Sequence, residues 1–465
     1  MIIQFSHPPS SLPLEGGGVK KVASPVIPSP SRGGLEPALS LSKGRGWVNE
    51  REGVKSPLMP SRGGGGGGRR SGGITMYDLP LEERDRRWKE ARETMEKRGL
   101  DCLITWGSFG FNRNLIANMR YLSNVCATEG YFVFPREGEP TLITFFGRHD
   151  TTWVDDCRAG HPMHSKAIAQ RISELHLGRG NIGIVGISGY FAEMGFAYIT
   201  YTSLINLLPE AHFVDATDII ENARRVKSEA EIKCLESGCE AGVKAIQAVV
   251  DTVRVGVRDR DVQATILDTL YRNGCEAGSM LLYRSGKAVS HAGQGQDLPL
   301  PGPRQVEEGD MILTEMDARY NGYIAQFNQP YSVGKPDHEW RKKEAVALES
   351  FKTGLKVLRP GIMIGELDEA MLSVITKAGY TWRNPMFHGL GLSIEGPMGR
   401  FPVQKPFESF LTIRTQPGQV IEIEPHVVSP DGKTGLTIGC PVLVTEAGCR
   451  VLNDTWKPGI KIIKT

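Results

Sequence analysis

Residues 309–334 read GDMILTEMDARYNGYIAQFNQPYSVG, and the nature of the chain turns on how this stretch folds. An apolar run through Met311, Ile312 and Leu313 leads into Glu315-Met316-Asp317. A turn follows at Arg319-Tyr320-Asn321-Gly322-Tyr323, and a second run returns through Ile324, Phe327 and Tyr331. The pattern predicts a hairpin of two strands. Residues two apart on a strand face the same way, so the carboxylates of Glu315 and Asp317 share one face. Buried carboxylates are costly unless paired or ligated, so that face is either wet or chemical.

The chain has 465 residues, enough for two domains and additional segments. A net charge of +2 gives no strong pull toward nucleic acid or an anionic membrane. No apolar run approaches the ~18 residues that a membrane span needs. The eight cysteines are scattered with no CxxC, which argues against a zinc cage and for reduced thiols in a cytoplasmic protein. Residues 1–75 are rich in Gly, Pro and Ser, including a glycine run from Gly63 to Gly68. Such a segment cannot bury enough apolar surface to offset its ordering entropy. It is expected to be disordered or foreign to the native chain, with Met76 the true start.

From Met76 onward, residues 82–98 carry Trp88, Ala91 and Met95 at helical spacing, and Gly99 closes the helix. DCLITW, YLSNV, GYFVFP, PTLITFF, NIGIVGI and HFVDAT read as short strands, with helical stretches such as 165–175 between some of them. This is an α/β pattern of mixed sheet and flanking helices. A long amphipathic helix begins at Ser228, where Glu231 completes a capping box, and Ile232, Leu235, Cys239, Val243 and Ile246 share a face. The spacing places further helices at 259–273, 339–358 and 365–378. The domains are therefore drawn as 76–222 and 223–465.

Candidate chemistry lies in the second domain. His291 stands on the Gly- and Pro-rich loop SGKAVSHAGQGQDLP. His388 stands in FHGLGLSIEGP, where small residues let a ligand approach closely. Glu422 and Glu424 share a face of the apolar strand VIEIEPHVV. Each has a plain alternative: a solvated loop histidine, a wet strand face, an edge strand with a polar outer side. Arg284, Arg383 and Arg400 lie near these motifs and are candidates to clamp a substrate carboxylate or to be surface arginines. Trp382 and Met386 read as core packing.

Taken in order, His291, Glu315, His388 and Glu424 with their neighbours resemble the creatinase/aminopeptidase P family. GDMILTEMDARYNGY, HGLGL, IEIEPH and VLVTEAG are similar to its core motifs, and RRVKSEAEI to its entry into the catalytic domain. The resemblance implies an α/β (α+β) pita-bread catalytic domain behind a smaller creatinase-type α/β domain, and homodimers. It also implies a dinuclear site built from Asp, Asp, His, Glu and Glu. Carried over, these fall on Glu315, Gln326, His388, Glu424 and Gly439, and Glu395 stands near the place of a second family histidine. An amide and a glycine at metal-bridging positions are poor ligands.

Three functions follow from the resemblance. The first is a creatinase-like hydrolase that cleaves a C–N bond in a small guanidino, amidino or cyclic-amide metabolite without a metal cofactor. His291, His388, Glu424 and Glu315 would be catalytic there, and Asp317, Glu422, Arg383 and Arg400 would bind substrate. The second is an X-prolyl metallopeptidase acting on short peptides with an altered site. Glu315, Asp317, His388 and Glu424 would then hold a divalent Mn, Zn, Fe or Co ion. The third is a non-catalytic binding module. The loop GQGQDLPLPGP after His291 either covers the pocket or is a tolerated insertion.

Overall fold

The turn signals and apolar periods build two lobes. A computed structural model of the chain describes residues 79–109, 113–147, 153–189, 195–276, 280–290, 302–401 and 408–465. The N-terminal extension, Met76, His291 and the loop behind it lie outside the described residues. Among the described residues no helix is long and apolar enough to cross a membrane.

The first lobe runs α1 (Leu81–Lys97), β1 (Cys102–Gly107), α2 (Ala117–Ser123), β2 (Gly130–Pro135), β3 (Thr141–Thr144), β4 (Asp156–Ala159), α3 (His164–Glu174), β5 (Asn181–Val185), α4 (Tyr198–Leu207), β6 (His212–Asp215) and α5 (Thr217–Arg225). Its strands form one sheet in the order β4-β3-β2-β1-β5-β6. The β1–β2 and β2–β3 pairs are antiparallel, and β1–β5, β5–β6 and β3–β4 are parallel. On α1 the periodic face is the buried one: Trp88, Ala91 and Met95 pack inward. YLSNV is not a strand. Its first residues end α2, where Met119, Tyr121 and Leu122 are fully buried and Asn124 caps the helix in a left-handed conformation at φ 55°. A short helix buried nearly all round has no polar stripe, so its pattern cannot be told from a strand's.

The second lobe runs α6 (Glu229–Thr252), α7 (Asp259–Arg272), β7 (Leu281–Gly286), β8 (Met311–Tyr320), β9 (Tyr323–Val333), α8 (His338–Val357), α9 (Ile364–Lys377), β10 (Phe387–Leu390), β11 (Ile394–Met398), β12 (Val420–Ile423), β13 (His426–Val428), β14 (Gly435–Thr437), β15 (Cys440–Thr445), β16 (Gly448–Val451) and β17 (Lys461–Ile463). One sheet is ordered β17-β9-β8-β7, a second β11-β10-β12-β15-β16, and β13-β14 form a small pair. A backbone bridge joins the two larger sheets: Asn328 donates to the Gly439 carbonyl at 3.1 Å, and Gly439 donates back at 3.0 Å.

The predicted hairpin is β8–β9, in unbroken register from Met311↔Ser332 to Tyr320↔Tyr323. Its turn is narrower than the sequence suggested. Only Asn321 and Gly322 are outside the strands, at φ 48° and 85°. Two left-handed residues match the twist of a two-residue hairpin, and Asn-Gly supplies them at low cost. Helix α6 lies across this hairpin because its glycines leave room. A Cβ at Gly242 would meet the Phe327 ring at 2.5 Å, and one at Gly238 the Ala318 carbonyl at 2.7 Å. The capping box at its start is present, with Ser228 N donating to Glu231 at 2.9 Å and Glu231 N to the Ser228 hydroxyl at 3.3 Å. Glu231 also accepts from Tyr323, whose hydroxyl in turn accepts from Arg87 of α1 at 2.7 Å.

Candidate active site

The strand period brings Glu315 and Asp317 of β8 opposite Asn328 and Gln326 of β9. Gln326 is fully buried and sits between three groups. Its Nε2 donates to Glu315 at 3.3 Å and to Asp317 at 3.1 Å, and its Oε1 lies 3.0 Å from His388 Nε2. The other ring nitrogen of His388 lies 3.1 Å from the Gly389 carbonyl.

Glu424 follows β12 and completes the cluster. Its carboxylate lies 3.4 Å from His388 Nε2 and 3.7 Å from His426 Nε2, and accepts from Asn328 Nδ2 at 2.8 Å. Glu422, two residues back and on the same strand face, is fully buried, and Asn328 lies beside it. Burial, and then repulsion from Glu424, Glu315 and Asp317, pushes its carboxyl well above the ordinary range. A Cβ at Gly439 would stand 2.6 Å from Glu422 Oε1. The carboxyl that would come from position 439 is thus replaced, in nearly the same space, by one reaching across from β12.

The structure gathers Glu315, Asp317, His388, Glu422 and Glu424 in one buried cluster. It does not bring the two arginines there. Arg400 is tied to the buried Asp368 of α9, its backbone N–H donating at 3.0 Å and its guanidinium pairing with the same carboxylate. Arg383 is exposed, with its guanidinium over Gly432. Among the described residues no hydrogen bond or ion pair links either arginine to the cluster. Met386 is buried and Trp382 packs against the core. Sequence reasoning missed Asn328 as the residue that holds Glu424. The signal was available: Asn328 is two residues beyond Gln326, on the same strand face. Glu395 stands elsewhere in the chemistry. It is a buried ion-pair hub, 2.8 Å from both Arg224 and Lys227. Burial alone would raise its carboxyl, but those two cations hold it below the usual range.

The donor set does not fit a dinuclear metal centre. Among the described residues no group of three or more His, Cys, Asp or Glu is arranged to hold a metal ion. Gln326 puts a neutral amide at a metal-bridging position, with its N–H₂ toward Glu315 and Asp317, and Gly439 supplies no side chain.

Residues 233–446 match the metallopeptidase family M24, and residues 87–226 match the creatinase/prolidase N-terminal domain. The Xaa-Pro dipeptidase of Pyrococcus furiosus is 28% identical over 247 residues, 52% of this chain and 67% of that protein. That of Pyrococcus horikoshii is 27% identical over 247 residues, 52% of this chain and 66% of that protein. The chain thus spans about two thirds of the length of these relatives. Among solved structures, an X-Pro aminopeptidase from Thermotoga maritima superposes with a TM-score of 0.68 at 20% identity, covering 81% of this chain and 99% of that one. An Xaa-Pro dipeptidase from Bacillus anthracis gives 0.67 at 20% identity, covering 82% and 99%. At these identities the structural likeness speaks for the fold alone. The two family matches in tandem, on a fold shared with these peptidases, make the chain a member of the creatinase/aminopeptidase P family of pita-bread hydrolases.

Proposed function

We propose that this chain hydrolyses an amide C–N bond in a small substrate of the short-peptide class, like the Xaa-Pro dipeptidases it is similar to. We infer further that its own side chains carry the reaction rather than a dinuclear metal pair. The peptide class rests on those relatives. The observation that carries the second point is the Gln326 amide held between Glu315, Asp317 and His388. In this reading Glu424 takes the proton of an attacking water, helped by the adjacent His388. Glu422, its carboxyl raised above the ordinary range, is the group that supplies the proton a leaving nitrogen requires. His291 joins them as a loop-borne base, and two copies of the chain pair as the family does.

The creatinase-like reading, hydrolysis of a cationic guanidino or amidino metabolite, is second. One observation favours it: burial, and then repulsion from Glu424, Glu315 and Asp317, raises the Glu422 carboxyl, and a substrate cation among these groups would relieve that repulsion.

One experiment separates these readings. Full-length protein of measured metal content is assayed on Xaa-Pro dipeptides and on guanidino compounds, with and without chelator. The proposal expects dipeptide turnover that survives the chelator and disappears in Glu424→Gln. Turnover that needs added Mn²⁺ or Co²⁺ returns the chain to the metallopeptidases. Turnover of guanidino compounds alone selects the second reading, and no turnover of either leaves a binding module.

A further inference from the structure

The two oxygens of Glu424 have different surroundings. Oε1 lies 3.4 Å from His388 Nε2. Oε2 accepts from the side-chain amide of Asn328 at 2.8 Å and lies 3.7 Å from His426 Nε2. Hydrogen bonds to a carboxylate run at about 2.7–2.9 Å, so the contact with Asn328 is a full bond. At 3.7 Å the His426 ring packs against Oε2 without bonding it. Both neighbours on that side address the same oxygen. Oε2 is therefore the anchored oxygen, and Oε1 is the one left beside His388.

The anchors are themselves fixed. Asn328 stands opposite Glu315 in the β8–β9 ladder, and its backbone exchanges two hydrogen bonds with Gly439, at 3.1 and 3.0 Å. Strand β9 is thus held on both edges at the residue whose amide reaches Glu424. Thr437, the partner of His426 across β13–β14, places its hydroxyl 3.1 Å from His426 Nδ1 and fixes that ring. The backbone N–H of Glu424 donates to the Met386 carbonyl at 2.9 Å. Its carboxylate, however, stands at the end of three torsions, so the backbone bond alone does not place it.

Exposure separates the groups that meet water from those that support them. Glu424 and His388 keep 4% and 6% of their surface open, whereas Asn328 and His426 keep none. Asn328 therefore acts through the group it bonds. A reacting group misplaced by about 1 Å can lose on the order of a hundredfold in rate, which sets the scale of what such a hold contributes.

We propose that Asn328 is a positioning residue for the hydrolysis: its amide holds Oε2 of Glu424 so that Oε1 stays beside His388 and takes the proton of the attacking water. The water oxygen bonds the amide carbon, the proton goes to Oε1, and the C–N bond breaks as the leaving nitrogen is protonated. This rests on the reading of Glu424 as the base. Steady-state kinetics of the full chain on an Xaa-Pro dipeptide test it, with Asn328→Leu, which keeps the volume and removes both N–H groups, and Asn328→Ala. Each variant is expected to lose about a hundredfold in kcat with KM within about threefold of the parent's. The crystal structure of Asn328→Leu should show the Glu424 carboxylate turned away from His388. A kcat within about threefold of the parent's, while Glu424→Gln still abolishes turnover, overturns the role of Asn328 and leaves the base in place. A rise in KM at unchanged kcat overturns it too, because the amide would then serve binding. If the parent has no metal-free turnover, the reading of Glu424 fails, and the crystal structure decides on Asn328 alone: a Glu424 that keeps its place beside His388 in the variant overturns the proposal. Should Asn328→Leu fail to fold, Asn328→Ala takes its place in both measurements.

Discussion

Gln326 has the shape of a carboxylate but not its charge, and three neighbours are arranged around that difference. Its amide satisfies Glu315 and Asp317 without a cation. Gln326→Glu would put a third charge between them. It should lower stability by about 2–4 kcal/mol at neutral pH. Millimolar Mn²⁺ should recover part of the lost melting temperature, and a variant as stable as the parent without metal would contradict this account. Glu422 makes a pH-dependent prediction. In the folded chain its carboxyl is held well above 4.5, its ordinary value. The unfolded chain ionises it above that value, so the folded state retains a proton that the unfolded state has lost. Stability therefore falls as pH rises from about 4.5 toward the raised folded value. Glu422→Gln removes that slope. Its melting temperature should exceed the parent's by a few degrees at pH 8 and converge with it near pH 4.5, as thermal melts across pH would register. At this scale much was legible in the sequence. The period of two put Glu315 with Asp317 and Glu422 with Glu424. The glycine at 439 was visible as a missing ligand, but the reach of Glu422 into its space was not, because it depends on how β12 and β15 pair.

Among the elements, the β8–β9 hairpin owes its register to two residues. Gly322 is required twice over, by its φ of 85° and by the Arg120 guanidinium, whose Cζ would stand 2.6 Å from an added Cβ. Gly322→Val should cost about 3 kcal/mol or more in chemical denaturation, whereas Asn321→Gly should cost under about 1 kcal/mol. Asn-Gly between apolar runs is a strong local signal, so this hairpin is readable from its residues alone. Helix α2 was not, because its residues 117–123 are buried on almost every side and lack a polar face to give the period away. The long α6 was readable from its capping box and apolar face. The two glycines that let it lie on Phe327 and Ala318 carried no such message, since their meaning is a distance to another strand.

Across the whole molecule, buried ion pairs join the lobes. Arg224 and Lys227 lie 171 and 168 positions from Glu395, a separation that no local pattern encodes. Glu395→Ala would strand two buried cations and should cost about 3–5 kcal/mol, with the unfolding transition as the readout. The same construction recurs at α6 and beyond α7. Glu231 is bonded through Tyr323 and lies 3.6 Å from Arg87, and Glu276 receives Arg120 at 2.8 Å. Both arginines belong to the first lobe, and both glutamates, each under a tenth exposed, belong to the second. A second lobe cut free at its first helix would therefore lose Arg86 and Arg87 from beside Glu231, and would leave Glu276 with Arg319 of β8 but without Arg120. Glu231 and Glu276 thus tie the stability of the second lobe to cations that the first lobe supplies.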